Sequence, residues 1–200
     1  MPVIIGLLAK ALGGFSYEHV FQVFLYGTII YFLACYLFLR VWLNSAMVAM
    51  AGILLAVKWQ MCHTGVYPFV FTYGSTTVMR YPFDIFFLLM VLWHLRTGRK
   101  IFLVSAGVLC GAAIFYITSE GIYLSAAYCA YLLIHYFLSQ RRALHLDLRK
   151  SLIAMAGYVM SVPAVALSLL YLTTGRHITE VSFWRNTGEF ISYFLSGYGT

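Results

Sequence analysis

The sequence predicts an all-α bundle of about six membrane-spanning helices with short interfacial helices at its edges, and two observations predict it. Only 10% of residues are Asp, Glu, Lys or Arg, while 62% are apolar and the mean hydropathy is +0.86. Ordinary soluble domains hold roughly 45–50% apolar residues. The charges also fall at the ends of long apolar runs, on alternating sides, as a bilayer requires when a charge at its centre costs roughly 2.5–3.5 kcal/mol. Backbone in hydrocarbon must satisfy its own hydrogen bonds, so the runs are helices or a closed barrel. The runs are continuous rather than alternating, which selects helices.

Residues 1–16 open the chain with an apolar stretch too short to span, followed by Lys10 rather than preceded by a charge. That order is the reverse of a signal peptide, and the stretch reads as a short interfacial or partial helix. The six-span bundle covers residues 19–173. Its clearest spans are 19–39, 101–118, 121–138 and 151–173, with shorter ones at 44–57 and 82–95. Gly107 and Gly111 form a GxxxG beside Ala106, Ala112 and Ala113, which lets a neighbouring helix approach closely. Ser125, Ala126 and Ala127 give the next span a similar small patch. Pro163 falls inside the last long span, where it should kink the helix. Residues 174–200 mix charges with Phe183, Trp184, Phe190 and Tyr193, the pattern of an outer interfacial segment or the start of a further span.

The net charge of +7 reports topology rather than nucleic-acid binding, because the basic residues border spans and form no stripe on a soluble face. Arg40, the loop of Arg96, Arg99 and Lys100, and the loop of Arg141, Arg142, Arg149 and Lys150 fall on one side. The positive-inside rule makes that side cytoplasmic and places the protein in the cell (inner) membrane. Glu18, Asp84, Glu120, Glu180 and Glu189 then fall on the outer side, with His19, His63 and His177. Acids, imidazoles and tyrosines are the types that bind and catalyse, so a site is expected to face outward.

Two groups carry that expectation. Arg80 lies in Met79-Arg80-Tyr81-Pro82-Phe83-Asp84, with a planar donor fork suited to a phosphate and Asp84 four residues on. The alternative is an interfacial pair that anchors a helix start. Glu120 lies in Thr118-Ser119-Glu120-Gly121, read as a tight outer turn, with Tyr123 placed to cover the same cavity. There the alternative is a solvated turn residue. The outer histidines show no HxH or HxxxH spacing, so no metal site is expected from them, and no cofactor is indicated. His94 and His135 read as packing or interfacial residues near the basic ends of their helices. Cys35, Cys62, Cys110 and Cys129 include no CxxC, and no disulfide is argued.

Taken in order, residues 2–133 resemble the membrane core of GT-C glycosyltransferases, the polyprenyl-phosphate-sugar-dependent type that includes protein mannosyltransferases and lipid A and arabinan transferases. The resemblance rests on Leu12-Gly13-Gly14-Phe15-Ser16, then a span ending Leu39-Arg40, then Pro82-Phe83-Asp84 opening a span rich in Leu and Phe. A basic loop, Gly107–Gly111 and the turn Thr118–Gly121 follow in the family's order. It departs from the family where Glu120 stands near the place of a turn lysine and Phe83 separates Pro82 from Asp84. The resemblance implies transfer of a sugar from a polyprenyl-phosphate donor, with Arg80 and Tyr123 binding substrate and Asp84 or Glu120 as the catalytic carboxylate. It also implies that the family's first span and catalytic outer loop would lie upstream of Met1, so that the chain is a fragment, inactive alone. A transporter or channel subunit and a non-catalytic membrane scaffold are the other readings; a transporter would want more polar residues at midplane than Ser105, Ser125 and Ser161.

Overall fold

A computed structural model of the chain describes residues 2–14, 16–62, 82–142 and 148–195. Among the described residues the fold is all-helical. The helices are α1 (Pro2–Ala11), α2 (Tyr17–Leu43), α3 (Ala46–Cys62), α4 (Phe83–Thr97), α5 (Ile101–Tyr116), α6 (Thr118–Arg142), α7 (Leu148–Thr174) and α8 (Val181–Leu195), with a 3-10 turn at Gly175–Thr179. Arg80, Tyr81, His63, His145 and residues 196–200 lie outside the described residues.

The ends of the helices follow from local chemistry. Ser16, in extended backbone, caps α2 by accepting from the His19 N–H at 3.2 Å. The His19 ring folds back over Gly13, where its Nδ1 lies 2.9 Å from the Gly14 carbonyl. His19 thus fastens the α1–α2 corner. Asn44 and Gly98, both left-handed, end α2 and α4; the Gly98 N–H returns to the His94 carbonyl at 2.8 Å. Pro163 lies inside α7 and removes one donor from its ladder.

Side-chain contacts fix the relative directions. Tyr31 meets Asp84 and the Trp42 carbonyl meets Arg96, so α2 and α4 run parallel. Phe83 packs on Tyr116 and Trp93 on Phe102, so α5 returns antiparallel to α4. α5 is the central element, packed against α4, α6 and α7. Its core comprises Phe87, Leu103, Ala106, Cys110, Tyr128, Leu132 and Val162, with a smaller cluster of Ile5, Ala9, Val23 and Phe24 between α1 and α2. Tyr128 is fully buried and donates to the Leu103 carbonyl at 2.8 Å. Removing that hydroxyl (Tyr128→Phe) is expected to lower stability by about 0.5–1.5 kcal/mol, since the bond it adds to a carbonyl of the α5 ladder is lost, and a denaturant or thermal melt checks it.

The expected GxxxG contact is present, and its partner is α7. A Cβ on Gly107 would strike the Ser161 hydroxyl, and one on Gly111 would stand 2.5 Å from the Val162 carbonyl and 2.8 Å from the Val165 Cβ. Only glycine admits α7 this close. Gly111→Leu is therefore expected to separate α5 from α7 and to cut the yield of monodisperse protein sharply. Gly157→Leu, at a glycine with open space around it, should leave the yield unchanged.

The six expected spans correspond in position to α2–α7. Among the described residues, two helical segments, Tyr17–Leu43 and Met155–Thr174, have both the length and the hydropathy to cross a membrane. α3, α4 and α5, at 17, 15 and 16 residues, fall short of the about 20 that a full span needs. Neither long segment behaves as the core helix of a soluble protein, because only 22% and 6% of their apolar windows are buried. Large apolar side chains cover the exterior, among them Met47, Leu54, Leu55, Ile153 and Leu172. A water-soluble surface rarely carries so broad an apolar patch.

The helix directions sort the charges by end. Glu18, Asp84, Glu120 and Glu180 lie toward the side where α2, α4 and α6 begin and α7 finishes, Asp84 at the level of Tyr31 rather than of the start of α2. Arg40, Arg96, Arg99 and Lys100 gather at the other end, with Arg142 and Arg149 at the adjoining limits of α6 and α7.

Candidate functional site at the acidic end of the bundle

The α5–α6 connection is tighter than the sequence suggested. Tyr116 ends α5, Ile117 is the single extended residue between helices, and Thr118–Gly121 already belong to α6. Glu120 is therefore not a solvated turn residue; it stands in the first turn of a helix. Gly121 makes this possible. A Cβ there would collide with the backbone N and Cα of Ile114, so the two helices cross backbone against backbone.

That crossing aims Glu120 inward. Its residue is 4% exposed, and Oε1 accepts from the Phe83 N–H at 2.9 Å. Phe83 is the first residue of α4, and Pro82 before it supplies no side-chain cap. Glu120 thus caps α4 from a different helix, its oxygen accepting one of the N–H groups at the start of that helix. Its other oxygen, Oε2, is buried without a hydrogen-bond partner.

Asp84, in the same first turn of α4, is half-buried. Its Oδ1 accepts from the Ile85 N–H at 2.6 Å, and its Oδ2 stands 3.5 Å from the Tyr31 hydroxyl of α2. Tyr31 is also a wall of a pocket of about 380 Å³ enclosed by α1, α2 and the start of α4. Leu8, Leu12, Val23, Ile30 and Phe86 make the pocket apolar, and Gly27 also lines it. Tyr31 lies fourteen residues into α2, about 21 Å along it at 1.5 Å per residue, so pocket and carboxylate are recessed below the start of α2.

Of the four expected site residues, Asp84 and Glu120 come together at the start of α4. Tyr123 does not join them: it is 76% exposed, while Glu120 is buried. Arg80 lies outside the described residues. Tyr31 is the site residue the sequence reading passed over. It sits in the middle of an apolar span, where one tyrosine among many carries no distinguishing signal.

Among the described residues no three His, Cys, Asp or Glu side chains stand together as a metal-binding group. His177 and Glu180, 2.9 Å apart at Nδ1 and Oε1, form an exposed pair beside the 3-10 turn. Arg185 and Glu189 form another along α8. Exposed pairs of this kind contribute about 0.2–1 kcal/mol, and both read as surface pairing. No family model matches the chain, and no curated protein or solved structure is similar to it at a significant level.

Proposed function

We propose that this chain is the multi-pass membrane core, of about six spans, of an enzyme that transfers a sugar from a polyprenyl-phosphate donor at its acidic end. The basic end faces the cytoplasm, in keeping with the positive-inside rule, and the acidic end faces outward from the cell membrane. The observation that carries the reading is the apolar pocket that shares Tyr31 with Asp84. A donor of this type has an isoprenoid tail and a charged sugar-phosphate head. An apolar recess beside a half-buried carboxylate accommodates both kinds of chemistry at one place.

The roles divide by what each group touches. Glu120 has one oxygen committed to the Phe83 N–H, which suits a positioning residue that holds the start of α4. Asp84 meets Tyr31, a wall of the pocket, across the helix interface, so it is the choice for general base on the acceptor hydroxyl. Arg80, four residues before Asp84 in the sequence, would hold the leaving phosphate, whose negative charge grows as the sugar departs.

Arg80 gives the test. In the complete protein, Arg80→Lys is expected to reduce transfer, because lysine offers a point charge without the bidentate fork. Arg80→Ala should reduce it further, with membrane abundance unchanged in both. A helix anchor at headgroup level would accept lysine equally well, so full activity in Arg80→Lys contradicts the phosphate role.

A further inference from the structure

A second cluster lies toward the opposite end of α4. His94 is 4% exposed, and its Nδ1 stands 3.1 Å from the Arg99 carbonyl. A carbonyl only accepts, so Nδ1 carries the proton, and in the neutral ring Nε2 presents a lone pair. That Nε2 is buried without a hydrogen-bond partner. The ring's aromatic neighbours on α6 are Tyr131 and His135, with centroids 6.2 Å and 4.9 Å away. The Tyr131 hydroxyl is likewise buried and without a partner. Tyr131 and His135 are four residues apart on one helix face, their rings stacked at 25°.

Two unsatisfied buried polar atoms at one place call for an explanation, since native interiors leave few such groups. One is a bare imidazole nitrogen whose partner nitrogen is fixed by a backbone carbonyl. That is the arrangement by which proteins orient a metal-binding histidine. The spacing agrees. Two imidazoles bound to one tetrahedral ion at about 2.0–2.1 Å have ring centres about 5 Å apart, and His94 and His135 stand at 4.9 Å.

We propose that His94 and His135 bind a divalent transition-metal ion of the zinc, cobalt or copper class between α4 and α6. Nε2 of His94 and a ring nitrogen of His135 are the ligands. The Tyr131 hydroxyl donates to a water that fills one of the remaining positions. Imidazole suits these ions, and two protein ligands leave positions open to water. The site is separate from the acidic end and does not depend on the glycosyltransferase reading.

The test uses the purified full chain in detergent, free of any histidine tag, titrated with Co²⁺. Tetrahedral cobalt d–d bands saturating at one ion per chain are expected, displaced by Zn²⁺, with a rise in melting temperature on metal addition. His135→Ala should abolish both signals, and Tyr131→Phe should weaken them. His177→Ala, which removes the exposed histidine beside Glu180, should change neither. Because His94 is buried and its loss can unfold the chain, the half-buried His135 decides the matter. A folded wild-type protein that gives no cobalt bands, or bands that persist in His135→Ala, overturns the site and leaves an internal water as the partner of Nε2.

Discussion

Gly121→Val is expected to prevent the chain from folding into this bundle. The new side chain would occupy the space of the Ile114 backbone, which no rotamer change can vacate. Ordinary overpacking of a core costs about 1–3 kcal/mol, because side chains yield. Here α6 itself must move, so the cost should exceed that range. The measurement is the fraction of monodisperse protein after detergent extraction, with the thermal midpoint of what survives. Gly121→Ala should fall between wild type and valine. Wild-type behaviour in Gly121→Val would mean that α5 and α6 do not cross at this residue, and the placement of Glu120 would fall with it.

The second large effect separates the two carboxylates. Glu120→Ala removes the acceptor of the Phe83 N–H and opens a buried space, and an orphaned buried donor costs about 1–3 kcal/mol before the cavity is counted. Glu120→Gln keeps a carbonyl oxygen for the same N–H and should retain most of the stability. Asp84→Asn should leave the fold intact. In the complete protein it should lower transfer by about 10²–10⁴-fold, the usual loss when a general base is removed. Activity and melting temperature measured together give the discriminating pattern: Asn at 84 is stable and inactive, Gln at 120 is stable and active. The opposite activities would exchange the roles of the two acids.

Much of this architecture was legible in the chain because the physics behind it is local. Continuous apolar runs and the all-helical fold follow from backbone hydrogen bonding in an apolar medium. The two charged ends were readable from charges at the ends of the apolar runs, although Asp84 comes to stand beside Tyr31, in the middle of the 19–39 run. Gly107 and Gly111 announced a close helix contact, although nothing in their spacing named α7 as the partner. The site was legible only in part. Asp84 and Glu120 could be listed as acids at span ends, but the capping of α4 by a residue thirty-seven positions away depends on the crossing at Gly121. Tyr123 was assigned to the same cavity by its spacing of three, yet it is 76% exposed where Glu120 is buried, because a shared helix face does not fix how deeply each residue on it is covered. The hydrogen bond from Tyr31 and the apolar pocket depend on the register of α2 against α4, and neither sequence segment states that register alone. The pairing of His94 with His135 is of the same kind, since their helices are adjacent only because α5 folds between them in sequence.

The pocket beside Asp84 is where the reading as a lipid-substrate site is most directly exposed to experiment. A polyprenyl phosphate carrying a photoreactive group in its isoprenoid tail should crosslink, in liposomes, to residues of the pocket wall such as Leu8, Ile30 and Phe86. Gly27→Trp, which adds a bulky side chain at a pocket-lining position, should remove those crosslinks while the protein remains folded. An excess of unlabelled polyprenyl phosphate should compete, and an excess of phosphatidylglycerol should not. Crosslinks spread over the exposed apolar sides of α3 and α7, equal in wild type and Gly27→Trp, would contradict a lipid-substrate site at this end of the bundle.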